Sequence, residues 1–425
     1  MVNSTLIMIN KQASKYIIIL CLIISGEMIF SLPFHIARYF RPSLLEAFSL
    51  SNTDLGDIFA VYGVTAMVAY FPGGVIADQF PARRLISASL LSTAAGGLYM
   101  AQFPGIIGLS LLFGYWGLTS ILLFWAPLIR ATRMWGGTFS QGRAFGLLDG
   151  GRGLVAATFA SLAVVIFAWL IPDEFLIMDN TQRRQGIQHV IYYYSVMTAL
   201  AGVMAWIVIP DQPENKTDFS HSLSNILAVS KRTTIWLLSA IVICAYCGYK
   251  GLDNYGLYAT EVLGMDEIES AKFTSFAAYI RPVAAIGAGI IADKITSSRL
   301  IASSFAALIL SYLILSFFSP DNISFNIIFF NLIMSFVSVF AIRGVYFALM
   351  EEFRFPTHMT GTAVGIVSVI GFTPDIFFAP LAGRILDAAP GTQGHQNYFL
   401  LLTAIAVCGM LVSICLIRLK LIQKK

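Results

Sequence analysis

The chain has 425 residues, of which 57% are hydrophobic and only 12% are charged, and its formal net charge at pH 7 is +4. Soluble domains average about 25% charged residues, so this composition, with a mean hydropathy of +0.76, excludes an ordinary water-soluble protein. The composition predicts an all-α polytopic membrane protein, and the small positive charge does not indicate nucleic-acid binding.

Twelve apolar segments are long enough to cross a bilayer, which needs about 20 helical residues. The first follows Lys11 and Lys15, is too long for a signal-peptide core and lacks a small-residue cleavage site, so we interpret it as span one. The predicted spans lie near residues 15–38, 54–77, 84–102, 105–129, 143–171, 188–210, 234–262, 269–292, 299–318, 325–350, 359–386 and 397–417.

A polar stretch divides the spans into two sets of six. It begins at Asp211 and continues to Arg232. The sequence therefore predicts an N-terminal six-helix bundle over 1–210, a cytoplasmic linker over 211–233 and a C-terminal six-helix bundle over 234–425.

The distribution of Lys and Arg predicts the orientation, because cytoplasmic loops retain these residues. With the N-terminus inside, 17 of the 27 Lys and Arg residues fall on the inner side, six on the outer side and four within spans. We therefore expect both termini to be cytoplasmic.

One loop sequence occurs twice, half a chain apart. Gly74–Arg84 reads GVIADQFPARR and Gly289–Arg299 reads GIIADKITSSR, and Leu-Ile follows both copies. Each copy joins two apolar segments through a short loop with an aspartate and arginine. A repeat at this spacing predicts two pseudo-symmetric halves, an arrangement common among secondary transporters.

The repeated loop, the six-plus-six layout and the central linker resemble the major facilitator superfamily over essentially the whole chain. The loops depart from the family pattern at Pro81 and Ala82, and again over 296–298. The stretches 146–153, 343–351 and 360–365 are similar to a group of bacterial permeases near the sugar-phosphate and organic-anion branch.

This resemblance implies alternating access between two halves, with spans three, six, nine and twelve as outer supports and the other eight around a central cavity. In the family, the loop aspartates and arginines hold the cytoplasmic helix ends together. The corresponding gating residues in this chain are Gly74, Asp78, Arg83, Arg84, Gly289, Asp293 and Arg299.

Eight charged residues lie at bilayer depth in predicted spans, and none of them is in spans three, six, nine or twelve. Because a charge costs several kcal/mol at bilayer depth, each is a functional candidate. They are Glu27, Asp149, Arg152, Lys250, Asp253, Arg281, Arg343 and Asp375.

Two pairs among these residues are spaced for ion pairs on one helix face. Asp149 and Arg152, like Lys250 and Asp253, are three residues apart. Local neutralisation is the alternative to substrate contact by Arg152 and Lys250, and to proton coupling by Asp149 and Asp253. Asp375 is a further candidate for proton coupling.

Glu27, Arg281 and Arg343 have no opposite charge three or four positions away on their own segments. We predict that Arg281 and Arg343 bind an anionic group, because guanidinium groups donate two parallel hydrogen bonds to carboxylate, phosphate or sulfonate. The alternative is a structural salt bridge. Glu27 is the first candidate for proton coupling, and its alternative is permanent pairing with an arginine.

Three aromatic residues are candidates for substrate contact because they neighbour these charges or correspond between the halves. They are Trp125, Tyr279 and Tyr346. Most other aromatic residues in the spans are expected to pack or to anchor the membrane interface.

No pattern in the sequence indicates enzymatic chemistry. The chain has no Walker-type glycine loop, catalytic triad or metal-ligand spacing. Cys244 and Cys247 have the spacing of a redox or metal pair, but no second pair accompanies them, and we expect free thiols. The sequence therefore predicts no catalytic residue, no metal and no cofactor.

The sequence thus predicts a monomeric transporter of the bacterial inner membrane that moves a small polar organic anion, coupled to protons or by anion exchange. Its expected partners are the substrate, membrane lipids and protons. One alternative is a proton-coupled carrier of a neutral or zwitterionic solute, such as a sugar or an amino acid. The other is a receptor that binds a solute without transporting it.

Overall fold

The structure is a computed structural model that describes residues 2–136, 141–169, 179–211, 229–353 and 360–423. Within these ranges the chain is helical almost throughout and contains no β-strand. The predicted all-α fold class is therefore confirmed.

Helices in the first half of the chain are interrupted by two π-helical segments, Ser31–His35 and Leu118–Trp125. The α-helices are α1 Val2–Met28, α2 Ile36–Tyr39, α3 Arg41–Phe48, α4 Asn52–Gln79, α5 Ala82–Met100, α6 Ile106–Gly117, α7 Ala126–Gly136, α8 Gln141–Trp169 and α9 Asn180–Val208.

Helices in the second half include two short 3₁₀ segments, Leu252–Asn254 and Tyr346–Ala348. The α-helices are α10 Thr233–Gly251, α11 Tyr255–Glu261, α12 Glu267–Ala277, α13 Ile280–Ile295, α14 Ser297–Phe317, α15 Phe325–Val345, α16 Leu349–Glu352, α17 Thr360–Gly371, α18 Pro374–Ala388 and α19 Thr392–Gln423.

Where the structure describes them, the predicted spans are helical for most of their length, with breaks at residues 29–30, 278–279 and 372–373. Among the described residues, nine helical segments are long and apolar enough to cross a membrane, and a tenth qualifies if the pair Lys15–Met28 and Ser31–Tyr39, bent by 43°, is one span. The helices α4 and α5 lie where spans two and three are predicted.

Two compact units make up the chain. Unit 1 contains residues 1–37, 46–48 and 64–217, and unit 2 contains residues 38–45, 49–63 and 218–425. The helix α4 therefore contributes its first 12 residues, 52–63, to unit 2 and the rest to unit 1. Most of the predicted linker lies outside the described residues, and the predicted boundaries of the six-helix bundles stay a prediction.

In unit 1, α1 packs against α8 and α9, and α5 packs against α9. The apolar core between these helices surrounds the inner part of α1 and includes Leu22, Met28, Ile29, Leu90, Phe124 and Leu128. In unit 2, α14 packs against α15 and α19, and α13 packs against α15.

Helix breaks in both units occur next to the predicted intramembrane charges. Pro33 lies in the first π segment, a few residues after Glu27, and Pro374 begins α18 immediately before Asp375. Proline has no N–H to donate and its ring clashes with the preceding turn, so it breaks or begins helices. The first of these breaks brings the side chain of His35 to that of Glu27.

A carboxylate from another helix caps the start of α14. Glu352 accepts hydrogen bonds from the backbone N of Ser298 at 2.8 Å and from its hydroxyl at 2.6 Å. Lys420 Nζ lies 2.7 Å from the same carboxylate. Glu352 thus joins α14, α16 and α19 within unit 2.

Replacing Glu352 with Gln is expected to lower the thermal unfolding temperature of the purified protein. The substitution removes the charge that Lys420 binds and weakens two hydrogen bonds, at a cost of about 1–3 kcal/mol. Unfolding in detergent, followed by tryptophan fluorescence, measures the change. Replacement of the exposed Glu46 with Gln is the control, and equal unfolding temperatures for the two variants would contradict this role of Glu352.

Candidate functional site

Two groups of buried charges form the candidate site, and each lies within one unit. The Glu27 cluster, in unit 1, consists of Glu27, His35 and Arg152. The Lys250 cluster, in unit 2, consists of Arg38, Lys250, Asp253 and Asp375. We describe each cluster by itself.

The Glu27 cluster depends on the π-helical break in span one. At the end of α1 the N–H of Phe30 bonds the carbonyl of Glu27, a three-residue turn, and the wider π turn follows. π turns and prolines are the usual causes of such bends. The break brings His35 back to the carboxylate of Glu27, eight residues earlier.

All three side chains of the Glu27 cluster are buried, with exposed fractions of 3% for Glu27, 2% for His35 and 8% for Arg152. Arg152 Nε donates to Glu27 Oε2 at 2.9 Å, and His35 Nε2 lies 3.2 Å from Oε1. Both carboxylate oxygens therefore have a partner, as a buried charge requires. Glu27 is thus paired with an arginine from another helix in this structure, and its role in proton coupling stays a prediction.

Aromatic rings cover the guanidinium group of Arg152. Its Cζ lies 5.5 Å from the ring centroid of Phe30 and 5.9 Å from that of Trp125. These two rings meet edge to face at 6.3 Å, and Tyr194 meets His35 edge to face at 5.9 Å. The predicted contact residue Trp125 thus lies beside a cluster charge.

The Lys250 cluster lies where α10 passes into a 3₁₀ turn. Lys250 and Asp253 are three residues apart, and a 3₁₀ turn aligns residues at this spacing on one side. Asp375 is in the first turn of α18, where the exposed N–H groups of a helix favour a carboxylate.

Lys250 lies between two carboxylates. Its Nζ is 3.6 Å from Asp253 Oδ2 and 3.3 Å from Asp375 Oδ1, and only 4% of the residue is exposed. The hydroxyl of Tyr246 donates to both oxygens of Asp375, at 3.1 and 3.0 Å. The predicted Lys250–Asp253 pair is therefore present, and Asp375 adds a second carboxylate.

Two guanidinium groups stack on one tyrosine at the edge of the Lys250 cluster. Arg38 Nε donates to Asp253 Oδ1 at 2.5 Å and Nη1 donates to the hydroxyl of Tyr249 at 2.7 Å. The Cζ atoms of Arg38 and Arg343 lie 4.3 and 3.9 Å from the Tyr249 ring centroid. The Lys250 cluster together with Arg343 thus contains three cationic side chains and two carboxylates.

The remaining predicted contact residues lie elsewhere on the helices of unit 2. Arg281 is 5% exposed in the first turn of α13, and Tyr279 precedes this helix. A Cβ added to Gly344 would lie 3.0 Å from the Cα of Ala285, so α13 and α15 touch beside Arg343 and one turn after Arg281. Tyr346 is buried and packs on Phe347, and in unit 1 Asp149 is half-buried on α8.

The predicted gating residues of the first repeat lie where α4 ends and α5 begins. Arg83 Cζ lies 4.8 Å from the Trp206 ring centroid, and Arg84 pairs with Asp211 at 3.7 Å in an exposed position. Gly74 is half-buried within α4, and the side chain of Asp78 lies outside the described residues.

A residue absent from the predicted gating set also holds this end of α4. Arg130, on α7, donates through Nη1 to the carbonyl of Ala77, one residue before Asp78. In the second repeat, Gly289 is half-buried on α13, and Asp293 and Arg299 are exposed around the α13–α14 turn. The gating assignment stays a prediction.

Sequence reasoning did not select four residues that the structure adds: His35, Arg38, Tyr246 and Tyr249. His35 follows Glu27 by eight residues, which would separate the two by about 12 Å along a regular helix. Arg38 falls among the outer cations at the end of span one. Tyr246 and Tyr249 precede Lys250 by four residues and by one residue. This closeness to a predicted intramembrane charge is the sequence signal that could have identified both tyrosines as site residues.

The described residues contain no group of three or more His, Cys, Asp and Glu side chains that could hold a metal ion. The five cysteines are free thiols, with Cys21, Cys244 and Cys247 buried and Cys408 and Cys415 exposed.

Comparison with known families identifies the chain. The model of the Major Facilitator Superfamily matches residues 17–379. The chain belongs to this superfamily. It is therefore a secondary transporter and not an enzyme, as the sequence predicted.

Two similar proteins of Escherichia coli (strain K12) are described as inner membrane proteins. YqcE is 30% identical over 419 residues, which cover 95% of this chain and 94% of the relative. YihN is 27% identical over 448 residues, which cover 98% of each chain. The transporter is thus an integral inner-membrane protein.

Solved transporter structures share the fold. A bacterial homolog of the human lysosomal transporter Spinster, inward-facing and unoccupied, has a TM-score of 0.70 at 16% identity and covers 95% of this chain and 98% of its own. The nucleoside transporter NupG has a TM-score of 0.70 at 12% identity, with coverage of 94% and 99%. At such identities the likeness concerns the fold alone.

Replacing Arg152 with Ala is expected to destabilise the transporter strongly. The substitution leaves the buried carboxylate of Glu27 without its arginine, a change that typically costs about 3–5 kcal/mol. The double variant Glu27→Gln with Arg152→Ala is expected to be more stable than Arg152→Ala alone, because it leaves no unpaired buried charge. Thermal unfolding of Glu27→Gln, Arg152→Ala and the double variant gives the coupling free energy between the two residues, and additive effects would contradict the pairing.

Proposed function

We propose that the protein transports a small polar organic anion by alternating access, coupled to protons or by anion exchange. The observation that supports this proposal is the charge of the Lys250 cluster together with Arg343. Their three cationic side chains and two carboxylates amount to an excess of one positive charge within this group of described residues.

A bound monoanion would neutralise this excess. Because charges interact strongly where water is excluded, an excess cation favours an anionic ligand over a neutral one. Guanidinium groups stacked on an aromatic ring keep their in-plane N–H donors directed outward, a geometry suited to carboxylate, phosphate or sulfonate. Arg343 on Tyr249 is one such group, and Arg38 on the other hand already donates to Asp253 and to the hydroxyl of Tyr249. We include Arg281 among the binding residues.

The Glu27 cluster supports the proton-coupled form of the mechanism. Glu27 and His35 share a hydrogen bond inside the membrane region, and histidine changes its charge near physiological pH. Under this form, Glu27 is the principal coupling residue, and Asp149, Asp253 and Asp375 are secondary. In anion exchange, the cluster would only hold α1 and α8 together.

One observation favours a zwitterionic solute as the second candidate. Lys250 is already bracketed by Asp253 and Asp375, so the cluster offers groups of both signs close together. An amino acid has a matching pair of charges. Flux measurements with both classes of solute distinguish the candidates.

Replacing Arg343 with Ala is expected to reduce anion uptake about 10- to 100-fold, the factor that corresponds to loss of a charge-assisted hydrogen bond. Counterflow into proteoliposomes is measured with a panel of monocarboxylates, phosphate esters, sulfonates, neutral sugars and amino acids. Arg281→Ala tests the second arginine, and Arg418→Ala, at an exposed position on α19, is the control.

The outcome that would contradict the anion proposal is uptake of sugars alone by the unaltered protein. Normal anion uptake by both Arg281→Ala and Arg343→Ala would remove these arginines from the binding site. An amino acid as the only transported solute would support the zwitterionic alternative.

Replacing Glu27 with Gln is expected to abolish the dependence of uptake on an imposed pH gradient while exchange of internal for external solute continues. The reason is that the amide cannot take up or release the coupled proton. Uptake at several pH gradients measures this effect, with Glu46→Gln as the control. A Glu27→Gln protein that still accumulates solute in response to the gradient would exclude this role for Glu27.

A further inference from the structure

A buried histidine at one end of unit 2 belongs to neither cluster of the candidate site. His395 lies in the first turn of α19, is 1% exposed, and places Nε2 2.9 Å from Oε2 of Glu261, the last residue of α11. The side chain of Glu261 is 36% exposed, so this pair connects the protein surface to the interior of unit 2. The orientation prediction places this end of spans seven and twelve outside.

Three buried polar atoms between α11 and α19 have no hydrogen-bond partner among the described residues. They are His395 Nδ1, the hydroxyl oxygen of Tyr258 and Asn254 Oδ1. Each of these residues is at most 4% exposed. Buried polar groups are nearly always satisfied, and ordered internal water is the usual partner where protein groups do not supply one.

These atoms lie on facing surfaces of the two helices. The rings of Tyr258 and His395 meet edge to face at 5.4 Å. Asn254 precedes Tyr258 by four residues, so it lies one turn deeper on the same side. Asn254 Nδ2 donates at 3.0 Å to the hydroxyl of Tyr398, which follows His395 by three residues on α19. The two helices therefore present polar groups to each other over successive turns.

This line of polar groups ends at the Lys250 cluster. The hydroxyl of Tyr398 donates to the carbonyl of Gly251 at 2.8 Å, and Asp253 lies between Gly251 and Asn254 in the 3₁₀ segment. The whole line, from Glu261 to Asp253, lies within unit 2.

The charges near His395 favour binding of a proton. Arg41, on α3 and only 4% exposed, interacts electrostatically with Glu261 and with Asp387 in the last turn of α18. Its own hydrogen bonds go to Oδ1 of Asn52, at 3.2 and 3.0 Å. While His395 is neutral, Arg41 and the two carboxylates amount to an excess of one negative charge. A proton on His395 would neutralise this excess.

The other titratable groups at this end of unit 2 add no net charge. Tyr258 on α11 and Tyr398 on α19 carry phenolic hydroxyls, which are neutral at physiological pH. Arg384 on α18 pairs with Asp57 on α4 at 2.8 Å.

We propose that Glu261 and His395 form the outer proton-binding site of a proton route that runs between α11 and α19 to Asp253. A proton from the outer water binds the carboxylate of Glu261, passes along the hydrogen bond to His395 Nε2, and a proton leaves the ring from Nδ1. Water held by Tyr258 and Asn254 carries it on to Asp253. Histidine suits this task because its charge changes between about pH 5 and 8.

Arrival of the proton would link this route to anion binding. Asp253 lies 3.6 Å from Lys250 and accepts a hydrogen bond from Arg38. Once protonated, it no longer neutralises these cations, so the charge of the Lys250 cluster rises by one and a bound anion becomes more favourable. The proposal therefore rests on the proton-coupled form of the transport function proposed above.

Two kinds of transport in proteoliposomes test the route. Uptake driven by a pH gradient moves protons together with the solute, whereas counterflow at equal pH moves no net proton. The probe is the member of the solute panel described above that gives the fastest counterflow with the unaltered protein. Both rates are measured in water and in deuterium oxide, because transport that is limited by proton transfer slows more in deuterium oxide.

His395→Gln is expected to slow gradient-driven uptake about 10- to 100-fold while counterflow stays near the parental rate. A positioned acid–base group speeds a proton transfer by about 100-fold or more, and slower steps of transport hide part of the loss. His189→Gln, which replaces an exposed histidine on α9 in unit 1, is the control.

Tyr258→Phe separates the route from a packing role. The substitution removes one oxygen atom that bonds no other group in the described ranges. If Tyr258 only packs, its loss is neutral or stabilising, because an unsatisfied buried hydroxyl disappears. The route instead requires slower gradient-driven uptake and a larger deuterium effect. Tyr255→Phe, the matched control, removes a hydroxyl that bonds Ser335 at 2.7 Å on α15 and is expected to leave coupling unchanged.

Parental gradient-driven uptake by both His395→Gln and Tyr258→Phe would overturn the proposal, and so would an equal loss in Tyr255→Phe. Should His395→Gln not fold, Tyr258→Phe alone decides the question. If a pH gradient drives no uptake by the unaltered protein, the proton-coupled form of the proposed function fails together with the route. A coupled parent with equally coupled variants contradicts the route alone, so the two failures are distinguishable.

Discussion

Pairing of buried carboxylates with cations is the constraint on which the rest of this structure depends. Glu27 and Asp253 are almost fully buried in apolar helices, and each has a guanidinium partner within 2.9 Å. An isolated ion at this depth would cost several kcal/mol, so these partners fix which helices can be neighbours. Glu27 with Arg152 joins α1 to α8, and Asp253 with Arg38 joins the 3₁₀ turn after α10 to α2.

These polar side chains can reach each other because the helices that carry them are irregular. A straight α-helix would place Glu27 and His35 about 12 Å apart along its axis, too far for a hydrogen bond. The π segment with Pro33 brings these two side chains together, and the 3₁₀ turn aligns Lys250 with Asp253. The polar chemistry of the transporter therefore depends on the points where its helices are least regular.

Features that depend on residues close together in the sequence could be predicted from it. Features that depend on contacts between residues far apart in the sequence could not. Apolar length places the helices, and a three-residue spacing predicts the Lys250–Asp253 pair. Arg152 has Asp149 at the same spacing, yet the structure pairs it with Glu27, 125 residues earlier in the chain. The stacking of Arg38 and Arg343 on Tyr249 likewise depends on tertiary packing, which no spacing in a single sequence encodes.

Two glycines in the first part of α4 limit how this helix can move. Gly56 and Gly63 are seven residues apart, about two turns or roughly 10 Å along the axis, and each receives a backbone segment of α18. Sliding along the axis would drive side chains into the positions that the glycines leave open, so translation is sterically blocked. The first part of α4 can therefore separate from α18 only by tilting away from it or by moving perpendicular to the helix axis.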